Sequence, residues 1–506
     1  MNWSNLSDLA TQQSANPCLE GLQFDWLMRC LRHNCNTKYG RQHRFVTISS
    51  IADYQMRVPI VDYDDLFPWI EEMTEGIADH LFHGRTVAFE RTSGTTSAQK
   101  IIPYSAQSLE DFRRGLLPWL TELPQQYGIT SGKAYWAISP ATRQPQVTAG
   151  GIPIGLPDSA YLGDDLTGFF LQVSAVPFWV AKLQDVNEWQ LATLYFLLRS
   201  ADLQLISVWS PTFLSTLIQA LSERRQELEQ ALTEGLYIHP HELPADTSAY
   251  RRFQQFHASG DPRTLWPELK LISCWADASS QPYYRQLKTH FGDIPFQPKG
   301  LLSTEAVVTV PDHKGRTLLT TQSGFFEFLD SAGNIHLAHE LQLNQEYQVI
   351  LTTAGGLYRY LSGDRVRCRG HVGNLPELRF VGRERTSDLA GEKLNDNFVG
   401  SCLEDIEGFR MLLALNDSPG YCLVLETAAA TPNIRNRVEQ KLCRNPHYDY
   451  ARKLNQLQPL KLLALDNPTE LYLNRVLQRG GRLGDIKLPV LCFETDLFND
   501  YLDRAA

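Results

Sequence analysis

Thr92, Ser93, Gly94, Thr95 and Thr96, followed by Ser97, place hydroxyl groups around a single glycine, and Lys100 adds a positive charge just beyond. Hydroxyls donate hydrogen bonds, and a glycine lets backbone N–H groups come close to a ligand. Such a loop suits an anion, the phosphates of a nucleotide foremost. A solvated turn is the alternative for any Ser/Thr/Gly-rich stretch. It is not the P-loop of nucleotide triphosphatases, which needs Gly-Lys-Ser/Thr opening a helix. Here Lys100 runs into Ile101, Ile102 and Pro103, which do not start one.

Two carboxylates stand in comparable positions. Ser303, Thr304 and Glu305 follow a predicted strand over 294–302, so Glu305 falls where open α/β sheets gather ligands. It is a candidate catalytic or metal-binding carboxylate, or a surface glutamate that ends a strand. Asp364 follows Gly363 after Tyr360, and is either a plain turn residue or a carboxylate presented by a sharp turn. His239, Pro240 and His241 have only a superficial likeness to a metal pair and read as a surface loop. The nine cysteines contain no C-x-x-C pair, which argues against a zinc ribbon or a dithiol centre.

These groups need elements to hold them. The alternation over 86–90 and the β-branched run after Lys100 predict strand, loop, strand around the hydroxyl loop. Ser105 or Ser108 can cap a helix with Leu109, Phe112, Leu116 and Leu120 inward and Arg113 and Arg114 on a solvated face. Residues 21–33 have helical spacing. The glycines at 150, 151 and 155 predict a tight loop or a pocket wall. Val208–Thr212 ends a strand and starts a helix, with Ser210 at the cap and Pro211 in the first turn. The charged run 222–230 reads as the continuation of that helix. Residues 269–275, 281–291 and 294–302 read as strand, helix, strand, which favours a parallel sheet. Residues 349–353 form another strand.

Past Phe380 the texture changes. Residues 381–388 are polar and resemble a linker. Helices at 402–413, 434–442 and 470–477 then alternate with strands at 421–425 and 460–465, enough for a small α/β unit. The reading is α/β, with a large domain over 1–381 and a small C-terminal domain over 382–506 after a hinge.

Composition sets outer bounds. The chain has 506 residues, 43% of them hydrophobic, and a formal net charge of −10. That argues against broad nucleic-acid binding, which wants a basic face, and leaves room for a local basic patch. An odd cysteine count in a long chain suggests reduced thiols and a cytoplasmic address. No apolar run reaches membrane-spanning length, and residues 1–17 lack a signal-peptide core.

The hydroxyl loop with Lys100, the Ser303–Glu305 motif, and Tyr360 with Gly363 and Asp364 occur in that order before a linker and a small domain. Together they resemble the adenylate-forming superfamily. Within it the chain looks most like the Gretchen Hagen family of acyl-acid amido synthetases. Residues 300–308 and 482–487 resemble its bacterial branch. The resemblance implies a large adenylate-forming domain with mixed sheets and helices, and a small mobile α/β domain. It implies ATP and Mg²⁺, a small carboxylic acid, and an amine acceptor, in this family an amino acid. Thr92, Ser93, Gly94, Thr95 and Thr96 would then hold the β/γ-phosphates. Ser303, Thr304 and Tyr360 would line the nucleotide site. Glu305 would hold Mg²⁺ or a water bound to it, Asp364 the ribose hydroxyls, and Arg383 a ribose or phosphate oxygen. Lys487 would swing in to the α-phosphate, with Lys100 and Glu305 as its catalytic companions. Gly391–Leu394 resembles the loop that approaches the site in another rotational state.

Three positions depart from the family pattern. Leu301 replaces an aromatic adenine platform, which leaves an aliphatic side chain, Trp275 or Tyr360 for that task. Leu361 replaces an arginine, with Arg359 on the same strand face as a substitute. Arg385 replaces a hinge aspartate. The resulting expectation is an ATP-dependent acid–amine ligase. An acyl-CoA ligase and a decayed nucleotide-binding protein are the alternatives.

Overall fold

The computed structural model describes residue 3 and residues 18–92, 100–136, 146–156, 158–383, 386–387, 389–390, 392–415, 419–431, 433–453, 455–480, 484, 486–502 and 505. Buried aliphatic strands form a parallel sheet in the order Phe296–Pro298, Leu271–Cys274, Leu203–Ser207, Lys133–Trp136. Every residue of its two central strands is buried, as expected where both faces are covered. The helix Gln281–Phe291 makes the crossover between Leu271–Cys274 and Phe296–Pro298, burying Leu287 and Phe291. The predicted strand-helix-strand unit is therefore present.

A seven-stranded, largely antiparallel sheet lies beside it. Its longest members are Glu346–Thr352, Tyr360–Val372 and Leu375–Arg383. The helix Leu19–His33 packs on this sheet with Trp26, Leu27 and Leu31 buried. Gln23 fixes the contact, donating to Gly324 O at 3.0 Å and accepting from Phe326 N at 2.9 Å. A third sheet pairs Ala88–Arg91 with Ile101–Tyr104 and with the short strand Pro153–Ile154. Ser105 then caps Ala106–Tyr127, accepting from Ser108 N at 3.0 Å. It also donates to Ala354 O at 2.8 Å, which ties the helix start to the seven-stranded sheet.

The last quarter of the chain forms a mixed sheet, ordered Lys461–Leu465, Gly420–Glu426, Arg410–Leu415, Leu491–Cys492. Helices Asp396–Leu403, Ile434–Leu442, Pro446–Lys453 and Pro468–Gln478 surround it. The helix expected over 402–413 is two elements. Asp396–Leu403 is capped by Asn395 and ends before Gly408, whose φ of 74° breaks the path. Arg410–Leu415 is a strand with Met411 to Ala414 all buried. A short apolar run has no period that separates helix from strand.

Other expectations also shift. The helix Pro211–Glu223 does not run on through 230, because Arg224 leaves helical geometry and Arg225–Glu234 is a second helix. Ser210 occupies the cap position, but its hydroxyl pairs with Thr212 Oγ1 at 2.6 Å rather than with the helix backbone. His239 and His241 flank the turn of the hairpin Leu236–Ile238/His241–Leu243, where His241 stacks on Trp179 at 3.9 Å. Among the described residues no helix is long and apolar enough to cross a membrane.

Candidate active site

The neck of the hydroxyl loop is closed by Thr92 N–H, which donates to Lys100 O at 2.9 Å. Thr92 itself is buried. Ser93, Gly94, Thr95 and Thr96 lie outside the described residues. Lys100 points inward. Its Nζ is 3.4 Å from Tyr360 Oη and 5.1 Å from the Tyr63 ring centre. Tyr63 is a partner that the sequence did not announce. Its hydroxyl accepts from Ile101 N at 2.9 Å and so orients the strand that carries Lys100.

Gly300 makes the turn that delivers Glu305. Its φ is 80°, and a Cβ there would sit 2.5 Å from Thr309 O. Ser303 then closes a tight loop, with its N–H donating to Ala306 O at 3.0 Å and its hydroxyl accepting from Ala306 N at 3.2 Å. Tyr104 Oη donates to Thr304 O. Glu305 is 8% exposed, and its carboxylate makes no hydrogen bond or ion pair to the described residues.

Asp364 is not in a turn. It lies inside the strand Tyr360–Val372, where the pairing with Glu346–Thr352 slips between Gln348 and Ile350. Gly363, at φ 76°, takes up the irregularity. A bulge of this kind re-aims a side chain without ending the strand. Asp364 sits opposite Arg383 on the neighbouring strand and accepts from its Nε at 2.7 Å. The carboxylate is 4% exposed and the guanidinium 31%. Asp364 first and Glu305 next hold Arg383 firmly protonated, above the usual arginine range. Burial raises the Tyr360 phenol, and Glu305 raises it further. These mutual effects place Glu305, Tyr360, Asp364 and Arg383 in one electrostatic cluster, with Lys100 at its edge.

Arg359 does not join it. The guanidinium is buried and faces the other way, donating to both oxygens of Glu327 at 2.9 and 3.0 Å and to Gln55 O and Val58 O, each at 2.9 Å. A φ of 50° at Arg359 takes it out of the strand alternation that would put it on the face of Leu361. Leu301 and Tyr360 are both buried, so neither offers an open face to adenine. Trp275 is half-buried at the carboxyl end of Leu271–Cys274. Lys487 Nζ rests 4.2 Å from its ring centre and 5.8 Å from that of Phe380. The structure thus brings Lys487 from the small unit onto an aromatic wall of the large one. Asp277 and Arg379 pair beside that wall at 2.8 Å.

A cleft of about 1760 Å³ opens here, lined by Arg383 and Phe380 on one side and by Asn397, Arg410 and Lys487 on the other. Glu392, in the loop expected to approach the site in another rotational state, is held within the small unit here. Glu392 is buried and accepts from Leu389 N and Ala390 N at 2.8 and 2.7 Å. Gly391 and Arg385 lie outside the described residues.

Comparison with known proteins follows the same division of the chain. The profile of the GH3 family N-terminal domain matches residues 11–296, that of the GH3 family central domain 317–383, and that of the GH3 family C-terminal domain 404–495. The chain belongs to the GH3 family. Among its GH3 relatives is jasmonoyl–L-amino acid synthetase JAR6 of Nicotiana attenuata, 22% identical over 92% of this chain and 90% of the relative. A 4-substituted benzoates–glutamate ligase of Arabidopsis thaliana, GH3.12, is 23% identical over 75% of this chain and 71% of the relative. Among solved structures, the acyl acid amido synthetase AtGH3.15 in complex with 2,4-DB superposes with a TM-score of 0.83, at 19% identity over 99% of this chain and 95% of that one. A 2-hydroxyisobutyryl-CoA ligase in the postadenylation state gives 0.57, at 13% identity over 96% and 91%. The fold is that of the GH3 enzymes and, more distantly, of the adenylate-forming ligases.

Proposed function

We propose that this GH3 protein is an ATP-dependent ligase that adenylates a carboxylic acid and passes the acyl group to the amine of an amino acid. The observation that carries the reading is the convergence of two buried carboxylates, Glu305 and Asp364, with Arg383 and Lys100 at the neck of the hydroxyl loop. Family membership along the chain supports it.

Each residue has a task in such a reaction. The acid's carboxylate attacks the α-phosphate and pyrophosphate leaves, so charge builds on phosphate oxygens. Positioning and electrostatics supply most of the catalysis. Thr92 to Thr96 hold the β/γ-phosphates, with Lys100 beside them. Ser303 and Thr304 line the nucleotide site. Asp364 accepts from the ribose hydroxyls, since its Oδ2 makes no hydrogen bond to the described residues. Arg383 orients that carboxylate and reaches a ribose or phosphate oxygen. Tyr360 backs Lys100 and Glu305.

Glu305 fits Mg²⁺. It is a buried carboxylate without a hydrogen bond to the described residues, and Mg²⁺ sites of this type use one or two carboxylates with substrate phosphates. No group of three or more metal-ligating side chains occurs among the described residues. When bound, the ion would neutralise phosphate charge. The large and small domains turn about a hinge that follows Arg383, the last residue of the strand Leu375–Arg383, and closure delivers Lys487. Free thiols at all nine cysteines support a reducing, cytoplasmic address.

Carboxylate-dependent ATP–pyrophosphate exchange with Mg²⁺, over aryl, indolyl, jasmonate-like and fatty acids, tests the reading. Exchange is expected with one class. ATP binding without exchange for any acid, or acyl transfer to coenzyme A in place of amino acids, would overturn it. Asp364→Ala is expected to weaken ATP binding by roughly ten- to a hundred-fold, because hydrogen bonds to a charged group contribute about 1.5–3 kcal/mol. Calorimetric titration checks this, and unchanged affinity removes Asp364 from the ribose.

A further inference from the structure

Lys299 has no place in that scheme, yet it is only 4% exposed. It follows the strand Phe296–Pro298 at its carboxyl end. Its N–H donates to Cys274 O at 3.2 Å, which fixes the backbone beside the neighbouring strand. Its Nζ donates to Ser207 Oγ at 2.6 Å, at the carboxyl end of the next strand. The ammonium lies 4.8 Å from the Trp119 ring centre and 5.2 Å from that of Trp209.

This is a cation without an anion. Among the described residues the one titratable group that acts on it is the Cys274 thiol, and no carboxylate pairs with it. Burial pulls the ammonium down to about 7. Lysine has three N–H donors, and one is met by Ser207. Two tryptophan faces compensate a buried cation only in part. A methionine would fill the same volume with no desolvation cost, so packing alone does not account for a lysine here.

Position and surroundings point to a ligand. Ligands of open α/β sheets gather outside the carboxyl ends of the strands, where Lys299, Ser207 and Cys274 converge. Trp209 is half-buried despite its size, and so is Trp136, whose ring centre is 6.3 Å from Trp119. Large apolar side chains that stay partly open at such an edge form a wall for a flat apolar body. Lys299 is also separated from the reacting end. None of the groups that act on it is Glu305, Asp364 or Arg383, and a chain of rings, Trp209 and Trp275 with centres 5.9 Å apart, leads from it towards Lys487.

We propose that Lys299 anchors a second carboxylate at the far end of the acid substrate, whose flat body lies along Trp209 with its reacting carboxylate towards Lys487. The substrate class is then a planar dicarboxylic acid. The assignment of the reacting end rests on the ligase reading; the anchor itself does not.

The test is direct binding to the full chain, followed by tryptophan fluorescence, of benzoate, 4-hydroxybenzoate, terephthalate and biphenyl-4,4′-dicarboxylate. At least one dicarboxylate is expected to bind ten-fold or more tightly than benzoate. Lys299→Met is expected to fold, to melt no lower than the parent, and to lose that preference. Ser207→Ala, which frees the ammonium from its one oxygen, should erode it several-fold. Equal affinity for mono- and dicarboxylates, no binding of any of them, or a preference that survives Lys299→Met would overturn the anchor. Pyrophosphate exchange run in parallel separates the two claims. Lys299-dependent binding without exchange upholds the anchor and sinks the ligase reading. Exchange with monocarboxylates alone, indifferent to Lys299→Met, does the reverse.

Discussion

Lys487→Ala is expected to lower carboxylate-dependent ATP–pyrophosphate exchange by about 10²–10³-fold, the usual effect of removing one preorganised group that meets transition-state charge. ATP affinity should change by less than about three-fold, since the ammonium would meet the α-phosphate only as charge develops there. The structure gives the reason for this split. Lys487 Nζ lies over Trp275 and Phe380, while Asp364 pairs with Arg383 and Lys100 with Tyr360, so the groups proposed to bind the nucleotide are held without it. A lysine suits the task because it is a compact charge on a flexible stem. Exchange rates and nucleotide titration on the same preparation check both halves. A loss of ATP affinity as large as the loss of rate would place Lys487 in ground-state binding instead.

Trp275 sets the starting point of that movement. A cation over an indole face contributes on the order of 0.5–2 kcal/mol, depending on desolvation. That is enough to bias where Lys487 rests and too little to lock it. Trp275 is half-buried whereas Leu301 and Tyr360 are buried, so it keeps the most open face of the three positions considered for adenine.

Much of the site was legible because chemistry-bearing residues sat in short motifs at the ends of strands. The alternation around Thr92 and Lys100 gave a hairpin, and Ala88–Arg91 pairs with Ile101–Tyr104. Helical spacing over 281–291 gave the crossover helix at its true limits. What failed depended on contacts distant in sequence. Gly363 next to Asp364 has the composition of a turn, but pairing on both flanks keeps the strand going and turns the irregularity into a bulge. Residues 402–413 are apolar enough for either element, and only the sheet between Gly420–Glu426 and Leu491–Cys492 decides. Lys299 left one trace, a charged residue at the carboxyl end of a predicted strand, just before Gly300. Nothing local says that it is buried, because Trp119 and Trp209 come from other parts of the chain.

Arg359→Ala is expected to destabilise the protein by about 3–5 kcal/mol, the usual cost of removing one partner of a buried ion pair. The guanidinium is 4% exposed and Glu327 0%. Four hydrogen bonds from one side chain join Glu327, on the strand Phe325–Leu329, to the carbonyls of Gln55 and Val58 at the end of the helix Ile51–Arg57. Gln55 Nε2 donates to the same carboxylate at 2.9 Å, so Glu327 keeps one partner after the substitution but loses its counter-charge. The main chain is committed as well, since Arg359 O accepts from Val61 N at 3.1 Å. Arg359→Met with Glu327→Leu should recover most of the loss, because the penalty belongs to the stranded carboxylate and an apolar pair of similar volume removes it. Thermal and denaturant unfolding of the single and double variants, with ATP titration of each, decides the matter. Full stability in Arg359→Ala together with lost ATP affinity would return this arginine to the nucleotide site; lost stability with ATP affinity intact in the folded fraction confirms it as the clamp between helix and sheet.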